Sequence, residues 1–149
     1  MALKIMEKDC CDIYEKFDKK NLLVKSYYYW DVLARNKQVT LGSCVIILKR
    51  HVENFGQVEP DELTELSDAV QELEKALKNT FAYDKINYLM LMMADNHVHF
   101  HVLPRYQKDK EFNKIKFQDK CWPKLSDMQS QEISKETIMK IKEKIMSGY

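Results

Sequence analysis

Asn96-His97-Val98-His99-Phe100-His101-Val102-Leu103-Pro104-Arg105-Tyr106, the run NHVHFHVLPRY, places an imidazole at every second position three times in succession. Successive side chains of an extended strand point to opposite faces, so His97, His99 and His101 share one face while Val98, Phe100 and Val102 enter the core behind them. Three imidazoles buried on one face would leave many donors and acceptors to satisfy, which favours a cleft that uses them. The chain has four histidines, and the fourth, His51, closes a second apolar run, CVIILKRH.

Working outward, Asp95 and Asn96 supply a turn into this strand, and Ile86 to Ala94 reads as a preceding strand apolar on both faces, its methionines in the core. Gly42 opens a strand from Cys44 to Leu48. The dense aromatic and β-branched content of NLLVKSYYYWDVLA gives one or two more. Pro60, followed by Asp61 and Glu62, starts a long helix with Leu63, Leu66, Val70, Leu73 and Leu77 as its apolar stripe. Asp9 to Phe17 forms a short opening helix. Beyond Tyr106 the chain is lysine-rich and irregular until Ser134 caps a last helix carrying Ile138, Ile141 and Ile145. Short strands and two helices without regular βαβ alternation predict an α+β domain built on an antiparallel sheet.

A chain of 149 residues suits one domain, and 24 Lys and Arg against 23 Asp and Glu give no global charge for nucleic acid or an anionic membrane. The longest apolar run, YLMLMMA, is too short to cross a bilayer, and the charged first residues do not read as a signal peptide. A cytoplasmic protein is expected. Cys10, Cys11, Cys44 and Cys121 form no CxxC spacing and read as reduced thiols, the adjacent pair being a poor frame for a disulfide or zinc.

HVHFHVLPRY resembles the motif of the histidine triad, or HIT, superfamily, and Pro104 and Arg105 look like its fragile-histidine-triad and dinucleoside-polyphosphate hydrolase branch. The block LGSCVIILKRHVENFGQVEPDELTELSDAV extends the likeness, which runs from Tyr14 to Tyr106. The resemblance implies a five-stranded antiparallel sheet with two main helices, a single HIT-like domain over 1–149 with its core at 14–106 and a C-terminal extension at 107–149, and a homodimer. It also implies a hydrolase or transferase acting on the α-phosphate of nucleoside 5′-phosphoryl compounds. In that scheme His99 is the nucleophile, His101 donates to phosphoryl oxygens or the leaving group, His97 helps orient the nucleophile, and His51 supports the site. Imidazole is a good nucleophile when unprotonated, so an ordinary ring would lose activity below about pH 6.

The departures from the family pattern are informative. Where relatives often place an Asp or Asn for the ribose hydroxyls, this chain has Arg35 with Asn36 beside it, and the glycine-rich turn before the triad is shortened to MMADN, where Asn96 is either a substitute contact or an ordinary turn residue. Arginine there can move recognition outward to a polyphosphate. The family's paired cysteines, which in zinc-holding members join the first triad histidine and the outlying one, are missing. No cofactor and no structural metal are therefore expected. Two rival readings remain: a zinc-dependent hydrolase using two or three of the alternating imidazoles, and a nucleotide-sensing or scaffolding dimer without turnover.

Overall fold

The computed structural model describes residues 11–149. Two short helices open it, α1 (Ile13–Lys16) and α2 (Lys19–Leu22), followed by β1 (Leu23–Ser26), β2 (Trp30–Ala34) and β3 (Cys44–Leu48). The long helix α3 (Pro60–Phe81) leads into β4 (Lys85–Leu89) and β5 (His99–Arg105); a hairpin of β6 (Lys110–Phe112) and β7 (Ile115–Phe117) precedes the last helix, α4 (Lys135–Ser147). Asp9 and Cys10 of the expected opening helix lie outside the described residues.

The main sheet has the order β1-β2-β3-β5-β4, every neighbour antiparallel. The expected α+β class, five-stranded sheet and two main helices are all present. Register fixes the two faces. Val45 lies opposite His101 and Ile47 opposite His99, whereas Ile46 meets Phe100 and Cys44 meets Val102. The second set faces the main core, where Trp30, Val32, Cys44, Ile46 and Val102 pack with Leu73 and Leu77 of α3 and with Ile138, Ile141 and Ile145 of α4. The histidine face has a smaller core, Leu33, Val45 and Ile47 under Ile13 and Phe17.

Local chemistry explains the helix starts. Pro60 occupies the first turn of α3, the Glu62 carboxylate accepts from the Glu59 amide (2.8 Å), and Glu62 also pairs with Arg50 (2.7 Å). Ser134 caps α4 by accepting from the Thr137 amide. Gly42 takes φ +87° at the turn before β3, and a Cβ there would come within 2.9 Å of the Phe81 ring. This turn is further set by buried Gln38, whose Oε1 accepts from the Gly42 and Ser43 amides.

Four expectations need correction. Leu63 is 42 % exposed, because the inward face of α3 is instead Ala69, Leu73, Ala76, Leu77 and Phe81. The strand read as Ile86 to Ala94 stops at Leu89, and Met93, read as core, is 90 % exposed. Apolar content alone cannot mark where a strand leaves its partner. The stretch after Tyr106 contains the β6–β7 hairpin, turned by Asn113 and Lys114 at positive φ. Phe117 and the three isoleucines of α4, all within 107–149, belong to the main core.

Arg105, the last residue of β5, binds this extension to the sheet. It is buried, its Nε donates to Asp119 (2.6 Å), its Nη2 to Asp119 (3.1 Å) and to the Lys124 carbonyl (2.7 Å), and its Nη1 to Asn87 (2.8 Å). Such a two-pronged carboxylate contact is geometrically specific, and removing one member would leave a buried charge uncompensated.

Candidate functional site

The four histidines separate into two pairs. His99 and His101, on the small-core face of β5, line a cavity of ≈ 210 Å³ with Lys16, Arg35 and Asp95. His97 and His51 lie beside it in a different cluster.

His99 Nδ1 is 2.6 Å from the main-chain oxygen of His97. A carbonyl only accepts, so Nδ1 carries the proton and Nε2 holds the lone pair. Phe17 packs against both pocket histidines, its ring centroid 5.9 Å from that of His99 and 6.0 Å from that of His101. Burial holds His99 below the ordinary imidazole value. His101 is pushed down to about 4, by burial first and then by the charge of Arg35. Both rings are therefore neutral at pH 7, and the loss of activity expected near pH 6 for an ordinary imidazole moves lower. His101 Nδ1 is buried and lacks a hydrogen-bond partner among the described residues. A buried nitrogen beside a cavity can bond a polar group that enters it.

Arg35 lines the same cavity as His99 and His101. Its guanidinium lines the cavity, its Nε lacks a partner among the described residues, and it also donates to the Lys37 carbonyl. Burial lowers its pKa, which leaves arginine a cation. Asn36 does not join it: Nδ2 donates to the Lys16 carbonyl (3.0 Å) and Oδ1 accepts from the Lys37 amide, so this side chain shapes the turn. Asn96 donates to Glu53 (2.8 Å) at the exposed rim and does not line the cavity. Lys16, paired with Asp95, and Met128 were not anticipated. Ile13 and Phe17, four apart, carried a helical signal for α1, but nothing local in the sequence marked Lys16 or Met128.

His97 orients His99 through its backbone, which any residue has. Its ring has other partners. Nε2 lies 2.5 Å from the Leu48 carbonyl and must donate, so Nδ1 bears the lone pair, and that atom is 3.0 Å from His51 Nδ1 and 3.4 Å from Cys11 Sγ. His51 Nε2 in turn lies 3.2 Å from Glu53. If Nε2 donates there, two lone pairs face each other across 3.0 Å, an arrangement that needs a shared proton or a metal ion between them. Ligand atoms of Cys11, His51 and His97 all fall within 4.8 Å of one another, and a thiolate with two imidazoles is a zinc-type donor set. The expectation of no metal rested on the missing cysteine pair; Cys11 alone reaches both histidines. Cys10 is outside the described residues.

The fold and this site define a class: an antiparallel sheet whose histidine-bearing strand presents two neutral imidazoles to a cavity flanked by cations. The HIT domain model matches residues 26–108, and the chain belongs to the HIT family. It is 32 % identical over 92 residues to an uncharacterized HIT-like protein of Methanocaldococcus jannaschii, covering 58 % of this chain and 67 % of that one. Among solved structures it resembles a histidine triad protein from Sinorhizobium meliloti (TM-score 0.72, 15 % identity, 91 % of this chain and 94 % of that chain). It also resembles a hypothetical histidine triad nucleotide-binding protein from Sulfolobus tokodaii (TM-score 0.68, 21 % identity, 93 % and 91 %).

Proposed function

We propose that the protein is a nucleotidyl hydrolase or transferase that acts on the α-phosphate of nucleoside 5′-phosphoryl compounds, dinucleoside polyphosphates among them, through a covalent nucleotidyl-histidine. The observation that carries this reading is the His99 ring: Nδ1–H is held by the His97 carbonyl, burial keeps the ring neutral, and Nε2 retains its lone pair at a cavity bordered by Arg35 and Lys16. Membership of the HIT family and the nucleotide-binding name of the S. tokodaii neighbour support a nucleotide ligand. Pro104 and Arg105 resemble the dinucleoside-polyphosphate branch, although Arg105 acts here away from the cavity.

In this reading, the Nε2 lone pair of His99 attacks the α-phosphorus; the bond from phosphorus to the leaving oxygen or nitrogen breaks, and that atom takes up a proton from solvent. His101 offers one N–H to a phosphoryl oxygen or to the leaving group, and Arg35 and Lys16 offset the oxygens' charge. Water then attacks the phosphorus and gives up a proton to solvent, the P–N bond breaks, and the nucleoside monophosphate leaves with neutral His99 restored. The cluster of Cys11, His51 and His97 takes no part in these bonds.

The active unit is proposed to be a homodimer in the cytoplasm. An open apolar cavity of ≈ 140 Å³ between α3 and the sheet, lined by Ile46, Leu66, Val70, Tyr88 and Phe100, lies near exposed Leu63 and Phe55 and supports a second copy on that face. Dinucleoside polyphosphates, nucleoside phosphoramidates and nucleotide sugars assayed side by side test the activity: release of nucleoside monophosphate from at least one class is expected. Tight nucleotide binding with turnover no faster than in buffer would instead establish a sensor or scaffold.

A further inference from the structure

We propose that Asp95 sets the charge this cavity accepts: it favours a phosphate bearing one negative charge, as a substrate's α-phosphate does, over the doubly charged monoester left by hydrolysis, and so speeds product release. The proposal rests on the reading of His99 and His101 as the groups that handle phosphate, and it concerns a residue that takes no part in their bonds.

A carboxylate works against a cavity that must hold an anion, and among the described residues lining this one Asp95 is the only carboxylate. Its side chain is 16 % exposed, so water screens its charge poorly, and it pairs with Lys16, which lines the same cavity. Lys16 and Arg35 supply two positive charges, Asp95 one negative, and the two imidazoles are neutral at pH 7, so the lining carries a net charge of +1. These charges act on one place. At His101, burial and then the cations Arg35 and Lys16 lower the ring's pKa, and Asp95 opposes them.

Holding the first helix in place does not account for the ion pair. That segment is docked by Ile13 and Phe17, both buried in the small core, and the Lys16 carbonyl accepts from Asn36 Nδ2 (3.0 Å). The Lys16 side chain is 44 % exposed, and a pair with so exposed a partner contributes little to stability.

The ligand's charge changes at one point in the reaction. An α-phosphate bonded to a leaving group carries one negative charge, and so does the phosphoryl group while it is attached to histidine. Only after water attacks does it become a monoester, whose second pKa of about 6 gives it close to two charges at pH 7.5. A lining of net charge +1 balances the first state and leaves the second in excess, and Asp95 repels that excess.

Equilibrium binding of AMP and adenosine 5′-sulfate at pH 7.5 tests this, because the two share base and ribose while the sulfate ester carries one charge. Asp95→Asn should tighten AMP about tenfold and the sulfate ester about threefold, since Coulomb energy scales with the ligand's charge, and the gain for AMP should appear as slower dissociation. Both gains should shrink at high salt. Asp95→Glu should restore most of the wild-type ratio of the two affinities. Lys16→Met should act in the opposite direction, weakening AMP more than the sulfate ester. A pair that only fastened α1 to the loop before β5 would give Asp95→Asn and Lys16→Met the same sign, and that result would overturn the proposal. Equal tightening of both ligands by Asp95→Asn would overturn it too, because Lys16 would then have been released without any discrimination by charge. Either result leaves the phosphate site standing. Failure of both ligands to bind the wild-type protein and the Asp95→Asn variant would overturn the phosphate reading of the cavity, and the proposal with it.

Discussion

The two faces of the main sheet are built from the same strands but solve different problems. One is closed by α3 and α4 over a continuous apolar core, with Trp30, Ile46, Leu73 and Ile141 all fully buried. The other is only partly closed by Ile13 of α1 and by Phe17; where their cover ends, the same register that put Phe100 and Val102 inside brings His99 and His101 to a cavity. The main core and the candidate site thus sit on opposite sides of β5, one residue apart. A substitution on one side should act mainly on folding, and on the other mainly on turnover.

The largest separation is expected from His99→Ala, which should lower turnover by at least about a thousandfold while nucleotide affinity changes little, since a nucleophile contributes mostly in the transition state. Steady-state kinetics beside equilibrium binding would check this. A loss of affinity matching the loss of rate would place His99 among binding residues only.

On the closed face, Leu73→Ala should cost about 2–5 kcal/mol, read by denaturant unfolding. For Leu73→Ala the rate per folded molecule should stay within about twofold, because that side chain points away from the cavity. A rate that fell with stability would deny the division between the faces.

A smaller effect is expected from the cluster of Cys11, His51 and His97. Zinc should raise the thermal midpoint, Cys11→Ser should abolish most of that rise, and chelation should leave turnover within about twofold. Turnover that vanishes on chelation and returns with zinc would support the zinc-dependent reading instead.

The pH response is the mildest. His101 titrates near 4 in the folded chain against an ordinary 6.5, so between these values the unfolded chain binds more protons and the fold loses stability as pH falls. Burial also holds His99 below the ordinary value, so the acid loss of turnover should have its midpoint below that of an ordinary imidazole. A midpoint of activity at an ordinary imidazole value would show that the pocket is wetter than its geometry indicates.

Much of this division was legible in the sequence, because alternation is a physical signal: a period of two along NHVHFHVLPRY places the imidazoles on one face and the apolar residues on the other. The start of α3 was legible through Pro60 and its acids, and that of α4 through Ser134. What remained hidden depended on contacts distant in sequence. Met128 and Lys16 reach the cavity only through tertiary placement, and Asn36 and Asn96, plausible as polar contacts, are taken by the Lys16 carbonyl and by Glu53. Alternation alone does not separate the histidines, whose different roles only the resemblance implied. His97 obeys the alternation, yet its ring turns to Leu48, His51 and Cys11 while its backbone orients His99.

The central claim, that His99 is the nucleophile and the His51 and His97 pair is not, is tested most directly by trapping the intermediate. Wild-type protein mixed with an active substrate, quenched rapidly without acid and examined by intact mass and peptide mapping, should carry one nucleoside monophosphate on His99, and should do so equally after chelation. His101→Ala should slow both its formation and its release, since one N–H serves both steps. No adduct during demonstrable turnover, or an adduct mapped to His97 or His51, would contradict the assignment.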